Sequence, residues 1–282
     1  MQTVTSPQEL ASLCRSWHRD GQTICLGPTM GYYHAGHEDL MRHGRTLADR
    51  LVVSLFVNPA QFGPSEDFAT YPRNQERDSS IAEALGADAI YIPEPESMYA
   101  ADHATWVEVP ELAKPLCGIT RPTFFRGVCT VVLKLFNLTG CDVAVFGQKD
   151  WQQQAILKRM VRDLNVPVRI ETRPTVREDD GLALSSRNVY LATEERKQAP
   201  QIQAGLQLAR KLAQQGETSA KRLRDAVLLR WAETLPLGRL DYLSIVHPDS
   251  LAPLDQVDGP ALMACAVRMG KARLIDNILL RD

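Results

Sequence analysis

The chain has 282 residues, 44% hydrophobic and 23% charged, with a formal net charge of -2. That composition is ordinary for a globular protein, and the length suits two domains with a core that needs no staples. A near-neutral chain without a basic arm argues against nucleic acid as its main partner, and no run of about 18 apolar residues is present to cross a membrane.

In chain order, the opening "MQTVTSPQELASLCRSWHRDG" lacks a basic start followed by an apolar block, so no secretory signal is expected. The six cysteines (Cys14, Cys25, Cys117, Cys129, Cys141, Cys265) are scattered without a CxxC pair, as reduced core thiols of a cytoplasmic protein would be. "TICL" (23–26) is a short apolar strand. "HEDLMRHGRTLA" (37–48) carries Leu40, Met41, Leu47 and Ala48 at helical spacing. "LVVSLFV" (51–57) is nearly continuous in apolar residues, as a strand buried on both faces of a parallel sheet should be. A helix over 74–87 stopping at Gly86 and a strand over 88–92 follow. Residues 126–140 place Val128, Val131, Val132, Leu135 and Phe136 on one helical stripe. "DVAVF" (142–146), a helix over 150–164 and "VPVRIET" (166–172) complete the alternation. Such an order calls for a Rossmann-like α/β domain over 1–175, its parallel sheet covered on both faces. Beyond it, two amphipathic helices (193–216 and 219–235) and a hairpin-rich strand set (240–248 and 261–280) predict a smaller α+β domain over 176–282.

Ligands of open parallel sheets bind beyond the carboxyl ends of the strands. Here four such ends lead into unusual loops: "GPTMGYYHAGH", "NPAQFGPSEDFATYPR", "GQKD", and "RPTVRE" with "DDGLALSSRN". In the first, Gly31 and Gly36 let backbone approach a ligand, and a helix opening near His37 offers N–H groups to phosphate. His34 and His37 can donate to phosphate oxygens as charge develops. The same HxGH also fits a turn with two surface histidines. A metal site from His34, His37 and His43 is not expected, because no acidic or thiol ligand has the spacing. Lys149 in a strand-to-helix turn suits phosphate as a point charge, while Asp150 can cap the helix or reach a ribose hydroxyl or a metal. Gln152 and Gln153 leave that turn on adjacent faces, so one of them points into the cleft. Ser185, Ser186 and Arg187 can hold phosphate oxygens, Arg187 bidentately, at a place where a lid could close. Gln61 stands where it can read a small polar substrate in a long loop.

Taken in order, "PTMGYYHAGH", "VNPAQF", "RPTFFRGV", "FGQKD" and "DGLALSSRN" resemble the pantothenate synthetase (pantoate–β-alanine ligase) family across essentially the whole chain. HxGH is also similar to the HIGH signature of the wider nucleotidyltransferase superfamily. The resemblance implies a cytoplasmic homodimer that joins pantoate to β-alanine through a pantoyl adenylate, with ATP as substrate and Mg²⁺ travelling with the phosphates. It implies that Met30, Gly31, Tyr32, Tyr33, His34, Ala35, Gly36 and His37 line the ATP site, with His37 as proton donor. Gly147, Gln148, Lys149, Asp150, Val176, Leu184, Ser185, Ser186 and Arg187 would also hold ATP. Gln61 and Gln153 would bind pantoate, Gln61 also β-alanine. One departure from the resemblance matters: Thr123 and Phe124 stand where the family usually reads Gly-His. Another adenylyltransferase of the same fold would share the HxGH loop, but not "VNPAQF" with "FGQKDWQQ". A non-catalytic nucleotide-binding module would not need His34, His37, Lys149 and Arg187 together, and a transfer-RNA ligase would need a basic domain that is absent.

Overall fold

The computed structural model describes residues 1–64 and 66–281. Among them, the elements run β1 (Gln2–Val4), α1 (Pro7–Arg19), β2 (Ile24–Thr29), α2 (Ala35–Arg45), β3 (Arg50–Leu55), α3 (Gln75–Ala84) and β4 (Ala89–Tyr91). Three one-turn helices follow, α4 (Pro95–Met98), α5 (Pro110–Ala113) and α6 (Cys117–Thr120). Then come α7 (Phe124–Thr139), β5 (Val143–Gly147), α8 (Trp151–Asp163) and β6 (Arg169–Arg173). The remainder is α9 (Thr193–Gln198), α10 (Gln201–Gln214), α11 (Ala220–Thr234), β7 (Gly238–Val246), β8 (Ala261–Met269) and β9 (Ala272–Arg281).

Strands β1 to β6 form one parallel sheet in the order β1-β4-β3-β2-β5-β6, and β7-β8-β9 form a second, antiparallel sheet. The period-two geometry of a strand explains the apolar runs. Ile24, Leu26, Val52, Ala144 and Phe146 point into one core with α1, α7 and α8. Their neighbours Cys25, Leu51, Val53, Val143 and Val145 point into another, under α2 and α3. Full burial of each Val or Leu side chain is worth about 1.5–3 kcal/mol, so both faces must be covered. Right-handed crossovers decide which helix covers which face. The chain steps from β2 to β3 to β4 in one direction through α2 and α3, and from β5 to β6 in the other through α8. The reversal lies between β2 and β5, where an open α/β sheet leaves its ligand crevice. Beyond β6, a third core gathers α10 and α11 against the second sheet, with Leu206, Leu223, Trp231, Met263 and Cys265 buried in it.

Several boundaries differ from the sequence pattern for local reasons. The helix expected over 193–216 is two helices, because Pro200 has no N–H to donate back along the turn. Helix α2 starts two residues early, since His34 itself is its N-cap. Helix α1 was not anticipated, although "SPQE" signals it: Ser6 Oγ accepts from the Glu9 amide at 3.1 Å. No helix among the described residues is long and apolar enough to cross a membrane.

Candidate active site

After β2 the chain passes through Met30, Gly31 and Tyr32 and enters α2 at His34. The two imidazoles cap that helix reciprocally. The Gly36 amide donates to His34 Nδ1 at 3.1 Å, and the His34 amide donates to His37 Nδ1 at 3.4 Å. A neutral ring that accepts at Nδ1 carries its proton on Nε2. Burial, then the nearby charges of Lys149 and Arg77, lower the His34 pKa to about 4. Burial, then His34 and Lys149, hold His37 well below its ordinary value. At neutral pH, both rings are therefore uncharged N–H donors at the positive end of a helix.

The turn after β5 brings Lys149 to the same place. Asn277 of β9 fixes that turn by donating to the Gln148 and Lys149 carbonyls at 3.0 and 2.9 Å. Burial lowers the Lys149 pKa, and neighbouring Asp150 pulls it back up. Arg187 makes a bidentate pair with Asp67, at 2.8 Å from Nε and 2.9 Å from Nη2, and lies over the Tyr71 ring. Ser185 Oγ accepts from the Arg187 amide, and Ser186 Oγ donates to the Tyr32 carbonyl.

The adjacent glutamines of α8 both border the cleft, but their amides are used differently. Gln152 spends its amide on backbone: Oε1 accepts from the Cys117 amide, and Nε2 donates to the Leu112 and Pro115 carbonyls. Gln153 faces the cleft, and its side chain makes no hydrogen bond to the described residues. Across from it, Gln61 is nearly buried, accepting from Asn58 Nδ2 at 3.1 Å and directing Nε2 at Met30 Sδ.

These groups surround a cleft of about 750 Å³, a size that suits a small-molecule site. Met30, His34, Gly36, His37, Gln61, Gly147, Lys149, Asp150, Gln153, Val176, Leu184, Ser185 and Arg187 all line it. Gly31, Tyr32, Tyr33, Ala35, Gln148 and Ser186 stand behind that wall; the Tyr33 ring is buried in the core under α2. The cleft thus draws on the loops after β2, β3, β5 and β6, and the second sheet closes it with Tyr242, Arg273 and Asn277.

Phe124 opens α7 at the cleft wall. The Arg121 guanidinium lies 3.6 Å from its ring centroid. Arg121 also pairs with both Glu66 oxygens, at 2.6 and 2.7 Å, and donates to the Gln61 carbonyl at 3.1 Å. Gly127, one turn on, is needed for contact with that segment, since a Cβ there would sit 2.3 Å from the Ala60 carbonyl oxygen. Sequence reasoning passed over the supports of the site: Asn58, Asp78, Asn277 and the Arg177–Asp276 pair, bidentate at 2.7 and 2.8 Å. Asp276 and Asn277 did leave a signal, two polar residues side by side in the apolar strand "LIDNILL".

The pantoate–β-alanine ligase family model matches residues 2–279. The pantothenate synthetase of Desulfovibrio desulfuricans is 77% identical over 282 residues, covering all of both chains. That of Nitratidesulfovibrio vulgaris is 60% identical over 99% of each chain. Among solved structures, pantothenate synthetase from Thermus thermophilus superposes with a TM-score of 0.94 at 42% identity, over all of both chains. Pantoate–β-alanine ligase from Francisella tularensis, complexed with beta-gamma ATP and beta-alanine, gives 0.81 at 30% identity, covering 99% of this chain and 98% of that one. With a matching family model, full-length relatives and the same fold, the chain belongs to the pantoate–β-alanine ligase (pantothenate synthetase) family.

Proposed function

We propose that the enzyme makes pantothenate in two steps in this cleft. A pantoate carboxylate oxygen attacks the α-phosphorus of ATP, the α–β anhydride bond breaks and pyrophosphate leaves, giving pantoyl adenylate. The β-alanine amine then adds to the activated carbonyl, loses its proton and expels AMP. A carboxylate is a poor acyl donor until its oxygen becomes part of a leaving group. The protein therefore needs to align reactants and stabilise charge, without supplying a nucleophile.

The observation that carries this reading is the convergence of His34, His37 and Lys149 at the N-terminus of α2, at the sheet's reversal point. Two neutral Nε2–H groups, the positive end of the α2 dipole and one ammonium form a preorganised anion seat. Bound phosphate would raise both imidazole pKa values, because a nearby anion favours the charged ring, and His37 then gains a proton to share with the leaving oxygen. Mg²⁺ would enter as part of the MgATP substrate, with Asp150 beside Lys149 as a carboxylate that could face it. Arg187 would exchange Asp67 for a phosphate oxygen as residues 176–282 close as a lid. Gln61 and Gln153 offer neutral amides, which can both donate to and accept from the hydroxyls of a hydroxy acid. The six cysteines are unpaired and buried, which supports a reducing, cytoplasmic setting. Homodimer formation rests on the family and on the prevalence of twofold assemblies, and light scattering at twice the chain mass tests it.

The test of the function is stoichiometry. AMP and pantothenate should appear one to one, and only with pantoate, β-alanine and ATP together. Pyrophosphate release driven by a phosphopantetheine or nicotinamide nucleotide substrate in place of pantoate, with the adenylyl group kept on that substrate, would overturn the reading.

A further inference from the structure

Asp78 sits in the first turn of α3, outside the cleft, and is 1% exposed. A carboxylate that deep needs partners. Its partners are the backbone of the loop that ends in the two histidines. Oδ2 accepts from the Tyr32 amide at 2.6 Å and Oδ1 from the Tyr33 amide at 2.9 Å. The loop adopts a conformation that a free chain would avoid there. Gly31 has φ 87° and Tyr32, with a full side chain, φ 53°, in the left-handed region. The fit is tight, since a Cβ on Gly31 would lie 2.4 Å from Leu55 Cδ1 and 3.0 Å from Asp78 Oδ2. The adjacent Arg77 completes the grip by donating to the Tyr33 carbonyl at 2.9 Å. Tyr33 is followed directly by His34, so the direction of both imidazoles depends on this hold.

We propose that Asp78 is a positioning residue for adenylation: its buried carboxylate clamps the Tyr32 and Tyr33 amides, holding the strained loop so that His34 and His37 face the reacting phosphates. Helix α3 reaches the chemistry through Asp78 and Arg77, and its acidic first turn looks from sequence like ordinary helix-end decoration. The inference rests on the proposed reading that ATP's phosphates bind at this loop. Asparagine is the sharpest probe. It preserves shape and one acceptor, but turns an NH₂ group toward the second amide.

The experiment compares the unmodified enzyme, Asp78→Asn and Arg77→Met in pyrophosphate–ATP exchange, alongside calorimetric titration with pantoate and thermal unfolding. Asp78→Asn should lower the exchange kcat about 10²-fold, as expected for reacting groups displaced by about 1 Å. Its pantoate affinity should stay within about twofold, because Gln153 lies on α8 and Gln61, beyond its contact with Met30, is held by Asn58, which is anchored on the Gly127 carbonyl. Arg77→Met, a partly exposed site, removes one hydrogen bond and should lower exchange roughly two- to tenfold. Exchange at the normal rate in Asp78→Asn, or loss of pantoate affinity in step with exchange, would overturn the inference. Should Asp78→Asn not fold, normal exchange in Arg77→Met would overturn it as well. No pantoate-dependent exchange in the unmodified enzyme would remove the reading beneath it, a result distinct from normal exchange in the variants.

Discussion

Phe124 stands where the resemblance read from the sequence expects a histidine, and replacing it asks whether such a histidine performs chemistry. In this chain the ring is a platform. Arg121 lies 3.6 Å from its centroid and connects it to Glu66 and to the Gln61 carbonyl. A cation over an aromatic face is worth about 0.5–1 kcal/mol when exposed and about 2 kcal/mol when desolvated. Arg121 is mostly sheltered, its side chain 12% exposed, so loss of the platform should weaken the hold on Gln61 by about 1–2 kcal/mol. At about 1.4 kcal/mol per factor of ten, Phe124→Ala should raise the pantoate KM roughly 5- to 30-fold, with little change in kcat. Phe124→His retains a flat ring for Arg121 and should leave pantothenate formation within about tenfold of the unmodified rate. The assay is AMP release at saturating ATP and β-alanine with pantoate varied. A gain of several hundredfold in Phe124→His would refute the platform argument, showing instead that the family histidine is catalytic and this chain impaired. An unchanged pantoate KM in Phe124→Ala would refute the link through Arg121 to Gln61.

His37→Ala and Lys149→Ala should each lower pyrophosphate exchange about 10²-fold or more, the scale for a lost transition-state donor, while thermal stability changes little; normal exchange would contradict the anion seat. Gln61→Ala and Gln153→Ala should weaken pantoate without weakening ATP in calorimetry, whereas Gln152→Ala should destabilise the fold, because its amide satisfies the backbone of α5 and α6. Stability should also depend on pH through His34. Its pKa is held near 4 against an ordinary 6.5, so between those values the unfolded chain binds a proton that the folded chain does not. This contribution is therefore fully retained above pH 6.5 and lost as pH falls toward 4, by at most about 3 kcal/mol. Denaturant unfolding at pH 7 and pH 5 checks this, and a His34→Asn variant that loses stability equally over that range would contradict it.

The sheet was legible because strand burial on both faces writes itself as unbroken apolar runs, such as residues 51–57. The cleft was legible because turns that approach a ligand demand Gly, His, Lys and Arg in short loops after those strands. Other features escaped for physical reasons. That the Gln152 amide is taken up by backbone while Gln153 is not depends on where the Leu112 and Pro115 carbonyls and the Cys117 amide fall, which no local pattern encodes. Asp78 and Asn277 act on backbone atoms far away in sequence, and backbone atoms carry no side-chain signature. The Arg187–Asp67 pair joins residues 120 positions apart, so sequence showed two charges in two loops but not their contact. Pro200 was visible, yet the amphipathic pattern continues across the break and hid it.

The central claim is that a pantoyl adenylate forms here before β-alanine takes part. Exchange of labelled pyrophosphate into ATP, measured with pantoate present and β-alanine absent, tests it most directly. Label should enter ATP at a rate comparable to overall turnover, and should stop when pantoate is withheld. No exchange until β-alanine is added, or release of ADP and phosphate in place of AMP and pyrophosphate, would contradict the account.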